Sequence, residues 1–281
     1  MRTFADKLQE ACDRHQSLLC VGLDPDLSLM AIPNILEFNC AIIDATKDLV
    51  CAYKPNLAFY ESHGSKGISD LEETVKYIRS HAPDIIIVGD GKRGDIDSSN
   101  VHYAKALFDT WDFDAATVTW YTGGESMGPF IERPDKGIFV LCHSSNPGAG
   151  EFQEMQVTPR GNPNGPKLLF ELVAESAKTI NKHDNIGLVV GATYPQHIQK
   201  IRSICPTMPI LMPGIGSQGG ILEASVKAGV DEMGRNIIIN SSRSILYASK
   251  DPASFQNAAY SAASDLRSKI NQILENKGAG W

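Results

Sequence analysis

Residues 84–92 read DIIIVGDGK, four consecutive apolar side chains running into Gly-Asp-Gly-Lys. A short run that is apolar on both faces fits a strand covered on both sides, the situation of a parallel strand between helices. The same design recurs outward from it. SLLCVGLD (17–24) and LVCAYKPN (49–56) come before. AATVTW (115–120), GIFVLCH (137–143), IGLVVGA (186–192), PILMPGIG (209–216) and NIIINSSR (236–243) come after, making eight candidate strands in all.

Amphipathic stretches fill the gaps. In NILEFNCAIIDATKDL (34–49), Ile35, Phe38, Ile42, Ala45 and Leu49 fall at three- or four-residue spacing on one helical face. ISDLEETVKYIRSHA, NVHYAKALFDTW, KLLFELVAESAKTI, YPQHIQKIRSI and GGILEASVKAG serve the same purpose later, and residues 253–275 form a closing helix. Strand and helix alternate eight times across 281 residues without a change in composition. This predicts an α/β fold: a single (β/α)8 TIM barrel domain spanning 1–281. An open doubly wound sheet would be expected to carry a Gly-rich dinucleotide turn after its first strand, and GLDPDLS is not one. Residues 144–165, rich in Pro, Gly, Asn and Ser, form a long loop of the kind that serves a site.

The composition narrows the partners. A 42% hydrophobic content supplies one large core. Twenty-six basic against thirty-three acidic side chains leave a net charge of -7, which argues against nucleic acid or an anionic membrane as partner. The six cysteines are scattered without a C-x-x-C pair, mostly inside apolar runs, so neither a disulfide framework nor a zinc knuckle is expected. The N-terminal MRTFADKLQEACDRHQ is polar and amphipathic, no signal-peptide stretch is seen, and no run of about 18 apolar residues occurs. The expectation is a cytoplasmic protein.

Polar residues where strands end carry the chemistry of such a barrel. Asp24 ends the first strand, Lys54 lies in the second, and Asp90 and Lys92 end the third two residues apart, which points both the same way along a period-2 strand. Asp95 follows across Gly94. A salt-bridge network closing the barrel top would account for Asp90 and Lys92 alone. Two lysines and three carboxylates at one mouth favour a working site, because such charges are costly unless paired. PGIGSQGG (213–220) and INSSRSI (239–245) follow strands seven and eight, where barrels often bind phosphate on loop amides and a helix N-terminus. Arg243 could supply a bidentate fork. Cys142-His143 reads as core plus rim, since neighbours on a strand face opposite ways. His63, His102 and His183 sit in polar stretches without partners at ligand spacing, so they are expected in solvent and no metal is expected.

These residues resemble one family. DGKRGDI (90–96) resembles the D-x-K-x-x-D-I motif of the orotidine 5'-phosphate decarboxylases, which carry out the last step of UMP synthesis. GLDPD, YKPNLAFYE, VTW-YTGGES, SSNPGAGEFQ, MPGIGSQGG and SSRSILYAS extend the likeness over most of the chain and place it near the longer bacterial branch. The resemblance implies a carboxy-lyase of de novo pyrimidine biosynthesis that needs no cofactor and works as a homodimer with shared sites. It implies that Lys54, Asp90 and Lys92 form a charged array with Asp95 of the other subunit, and that Lys92 is the proton donor. Asp24 would bind a ribose hydroxyl, Ser145 the pyrimidine edge, and Gln218 and Arg243 the phosphate. Ile96 and Ser99 would reach into the neighbouring site.

The implied chemistry also follows from the side chains. Loss of CO2 from C6 leaves a carbanion without a suitably placed carbonyl, and an ammonium such as Lys92 can stabilise that charge and then protonate it. A sugar-phosphate lyase on the same barrel would need a magnesium ligand near the second strand, where the sequence offers Tyr53-Lys54-Pro55-Asn56. A non-catalytic phosphate-binding protein would not need four charged residues together.

Overall fold

The computed structural model describes residues 2–158, 165–215 and 219–281. Eight parallel strands close into a barrel: β1 (Leu19–Leu23), β2 (Ala52–Pro55), β3 (Ile86–Arg93), β4 (Ala115–Val118), β5 (Gly137–His143), β8 (Ile186–Val190), β9 (Ile210–Met212) and β10 (Ile237–Ser241). Each predicted run matches one of them, β3 alone passing its predicted end by one residue, to Arg93. Closure comes from β1, which pairs with β2 on one side and β10 on the other, in register Cys20↔Ala52 and Cys20↔Asn240. β1, β2, β4, β8, β9 and β10 are buried along their whole length, which is why they read as continuous apolar runs.

Helices wrap the outside. The predicted 34–49 helix runs Ile35–Thr46, started by Asn34, whose side chain accepts the Glu37 N–H at 3.1 Å. Its Phe38 stacks on Phe255 of the closing helix Phe255–Asn276, ring centroids 5.5 Å apart, so the last element is locked onto the first barrel units. At the opposite end of the barrel, the helix Phe4–His15 acts as a plug. Phe4 is fully buried and meets Phe139 of β5 edge-on at 6.0 Å, beside Gly137 at the strand's start.

The long connection after β5 carries regular elements at its described residues. It holds the short helix Gly150–Gln153 and a two-stranded antiparallel hairpin, β6 (Gln156–Val157) with β7 (Lys167–Leu168). The helix expected from residue 167 therefore starts at Leu169, because residues 167–168 are taken into the hairpin, and Glu171 caps the Leu168 N–H at 2.9 Å. All six cysteines are free. Among the described residues no helix is long and apolar enough to cross a membrane.

Candidate active site

The C-terminal ends of β1, β2 and β3 bring four charges into one line. Lys54 Nζ donates to Asp90 Oδ2 at 2.8 Å, and Lys92 Nζ donates to Asp90 Oδ1 at 2.8 Å. Asp24 Oδ1 lies 3.8 Å from Lys54 Nζ on its other side. The order is carboxylate, ammonium, carboxylate, ammonium. Lys54 and Asp90 are buried, 3% and 8% exposed, so the middle of the line is desolvated, while Lys92 at its end is exposed. Burial alone would drive the Lys54 pKa down, yet attraction to Asp90 and then Asp24 outweighs it and raises the value. Burial likewise pushes Asp90 up, and the two lysines together hold it well below the usual carboxylate range. Both groups are ionised at neutral pH.

Lys92 reaches this position through an irregular backbone. β3 shifts register against β4 between Gly89 and Arg93, and Lys92 has φ +45°, in the left-handed region that a side chain with a Cβ seldom adopts. The period-2 alternation expected to align Asp90 with Lys92 is thus broken, and a bulge brings the two together instead. Thr117 of β4 pins the bulge: its hydroxyl donates to Asp90 Oδ1 at 2.7 Å and accepts the Lys92 N–H at 3.0 Å. Gly94 serves by close approach, since a Cβ there would lie 1.9 Å from the Thr119 carbonyl oxygen.

Asp24, Lys54 and Asp90 of the array line a cleft of about 520 Å³ together with Asn56, Ser145, Asn240, Ser242 and Arg243, and Lys92 stands behind them, bonded to Asp90. Tyr247 fixes the turn after β1, its hydroxyl donating to the Asp24 carbonyl at 2.5 Å and accepting the Asp26 N–H at 2.8 Å. Ser145 is held close to the end of β8, where a Cβ on Gly191 would come within 2.6 Å of its backbone nitrogen. Arg243 opens the four-residue helix Arg243–Leu246, is exposed, and has no ion pair among the described residues. Gln218 lies outside the described residues. Another hollow, of about 330 Å³ between Arg2, Glu10, Arg14 and Arg79, sits by the starts of β3 and β4, where its charges pair as Arg14–Asp84 and Arg79–Asp114.

Asp95, Ile96 and Ser99 do not join the cleft of this chain. Asp95 has no ion pair among the described residues; its backbone is clasped by Asn100, which accepts the Asp95 N–H at 3.0 Å and donates to its carbonyl at 2.7 Å. Ile96 is 62% exposed at the start of the helix Asp97–Ala104, and Ser99 is half-buried on that helix.

Sequence reasoning missed Thr117, because a threonine in AATVTW reads as an ordinary strand residue. It also missed Tyr247, which lies some 220 residues from the turn it fixes. His63, His102 and His183 are exposed as expected. The reading of Cys142-His143 as core plus rim is corrected: both are buried, since β5 shifts register against β8 between Leu141 and His143 and the His143 ring turns in against Phe170 and Tyr194.

Known proteins share this arrangement of elements. Residues 17–258 match the family described as Orotidine 5'-phosphate decarboxylase / HUMPS family. The chain is 46% identical over 269 residues to the orotidine 5'-phosphate decarboxylase of Dehalococcoides mccartyi, covering 95% of this chain and 97% of that one. It is 46% identical over 278 residues to the enzyme of the same name from Thermomicrobium roseum, covering 96% of each. The solved Leishmania donovani OMP decarboxylase superposes with a TM-score of 0.84 at 37% identity, over 97% of this chain and 99% of that one. A closed eight-stranded barrel, matched along nearly its whole length in both sequence and shape, makes this chain a member of the orotidine 5'-phosphate decarboxylase family.

Proposed function

We propose that this chain decarboxylates orotidine 5'-phosphate to UMP, with Lys92 as proton donor. The observation that carries the reading is the Lys54–Asp90–Lys92 array, its Lys54–Asp90 pair buried on one wall of a cleft whose rim holds Arg243, which has no ion pair among the described residues. The bond from C6 to the carboxylate breaks, its electron pair stays on C6, and CO2 departs. The Lys92 ammonium stabilises the growing charge and then delivers its proton to C6. Asp90, engaged at both oxygens, keeps Lys54 and Lys92 in place. Asp24 meets a ribose hydroxyl, Ser145 the pyrimidine edge, and Arg243 with Gln218 the phosphate. Phosphate contacts far from C6 supply binding energy that organises the site around the reacting carbon.

The reading includes a second subunit. Asp95, without an ion pair among the described residues, sits beside the exposed apolar side chains of Ile96 and Val101. In a homodimer it completes the partner's charged array, with Ile96 and Ser99 reaching the same neighbouring site. The whole chain acts as one domain in the cytoplasm, without metal or cofactor in the chemical step.

The decisive measurement is the change in pyrimidine absorbance when purified, chelator-treated protein meets orotidine 5'-phosphate, with UMP identified as product. Turnover that survives chelation supports the reading. No UMP, or turnover lost on chelation and restored by magnesium, overturns it.

A further inference from the structure

Away from the cleft, a second group of chemically active side chains meets at the base of the loop after β5. His143, the last residue of that strand, is fully buried, and its Nε2 lies 3.0 Å from Oε1 of Glu154. The same oxygen lies 3.7 Å from Nδ1 of His197, on the helix Pro195–Ile204. The three potential ligand atoms all fall within 4.8 Å of one another. The two imidazole rings stand 4.7 Å apart between centroids, and the rings of Phe170 and Tyr194 pack around His143.

A hydrogen-bonded imidazole–carboxylate pair accounts for His143 Nε2 and leaves His197 unexplained. Its Nδ1 is shut off from solvent without a hydrogen-bond partner among the described residues, and 3.7 Å to Glu154 is too long for one. A buried polar atom left in this way is disfavoured, and such exceptions call for a cause. A cation supplies one. Ligands placed about 2.0–2.1 Å from a tetrahedral ion stand about 3.3 Å from one another, and the distances of 3.0 and 3.7 Å fall on either side of that. Two imidazoles and one carboxylate are a donor set that zinc favours, with a position left for solvent. The half-exposed Glu154 provides the opening. His143 Nδ1 lacks a partner in either arrangement and does not distinguish them.

We propose that His143, Glu154 and His197 form a binding site for a divalent cation of the zinc type. None of the three lines the cleft, which puts the ion outside it. Its place is structural. Gln153, next to Glu154, already accepts the Ser144 N–H at 2.8 Å, so the segment bearing Ser145 is clasped where it leaves β5 and where it returns. The ion adds a third anchor, tying that clasp to the helix that follows β8.

The test uses the full-length protein after chelation and dialysis, titrated first with Co2+ and then with Zn2+. One equivalent of Co2+ is expected to give the ligand-field absorption of a four- or five-coordinate nitrogen–oxygen site, and Zn2+ should displace it. Glu154→Gln and His197→Gln should weaken Co2+ binding by at least the roughly tenfold to hundredfold that loss of a mere supporting partner costs. Zn2+ should raise the Tm of the unaltered protein and leave that of the variants unchanged. Uptake well below one equivalent, a spectrum like that of hexaaqua-Co2+, or unaltered affinity in both variants overturns the proposal. Should a variant fail to fold, the stoichiometry and spectrum of the unaltered protein decide alone.

Discussion

Thr117 and Asp90 are joined across neighbouring strands by a 2.7 Å hydrogen bond, and the same threonine oxygen accepts the Lys92 backbone N–H at 3.0 Å. One hydroxyl thus governs both the carboxylate that aligns the two lysines and the backbone of the lysine assigned the proton transfer. Thr117 is 1% exposed and does not line the cleft, so its influence on the reaction passes through those two groups.

Thr117→Val keeps the shape and removes both bonds. An unpaired buried N–H and a lost donor to a carboxylate each cost about 1–3 kcal/mol, so kcat should fall by roughly tenfold to a hundredfold with KM little changed. Thr117→Ser should restore most of the rate. A valine variant with unaltered kcat and only a lower Tm would make Thr117 a packing residue.

Arg243 is exposed at the cleft rim and has no ion pair among the described residues. Two charge-assisted bonds to a phosphate, at about 1.5 kcal/mol or more each, imply that Arg243→Ala raises KM by roughly a hundredfold. The orotidine lacking phosphate should barely notice the change. Equal losses for both substrates would place the phosphate elsewhere.

The shared site is tested by mixing two inactive proteins. Asp95 lies outside the cleft of its own chain while Lys92 is paired to the cleft wall, so Lys92→Ala and Asp95→Ala should each be nearly dead. After dissociation and reassociation, about half the dimers are mixed, and one of their two sites carries neither lesion, so activity should return to about a quarter of normal. No recovery, with subunit exchange shown independently, assigns both residues to a single chain's site.

The array also makes a statement about pH. Asp90 is held below its ordinary 3.8, so the stability it contributes is present above that value and lost as pH falls through the lowered one. Lys54 is raised above 10.5, so its contribution is present below that value and lost only in stronger alkali. Breaking the buried pair with Asp90→Asn should cost about 3–5 kcal/mol at neutral pH. Measured by urea unfolding, that gap should stay level on acidification until pH approaches 3.8 and narrow below it. A gap that already closes near neutrality would mean Asp90 is not held ionised by the lysines.

How much of this was legible in the sequence depends on whether the deciding force was local. The eight strands could be read because parallel strands between helices are apolar on both faces. Lys54, Asp90 and Lys92 could be read because charges at the ends of such strands need partners. Thr117 could not, since a strand threonine looks alike whether it binds an array or fills a surface. The left-handed backbone at Lys92 gave no sign either, because lysine has no preference for it. The meeting of His143 with His197 joins positions 54 residues apart, a proximity that only the closed barrel creates.

The left-handed turn at Lys92 has a consequence for protein engineering. A side chain with a Cβ held at φ +45° costs on the order of 1–2 kcal/mol, and glycine would occupy the position without that strain. The ion pair given up is half-exposed on the lysine side, and Asp90 keeps its bonds to Lys54 and Thr117. A library of this barrel enriched only for resistance to heat would drift toward glycine at 92, yielding sturdier molecules that lack the proposed proton donor. Any directed-evolution scheme for this scaffold must therefore select on turnover from its first round.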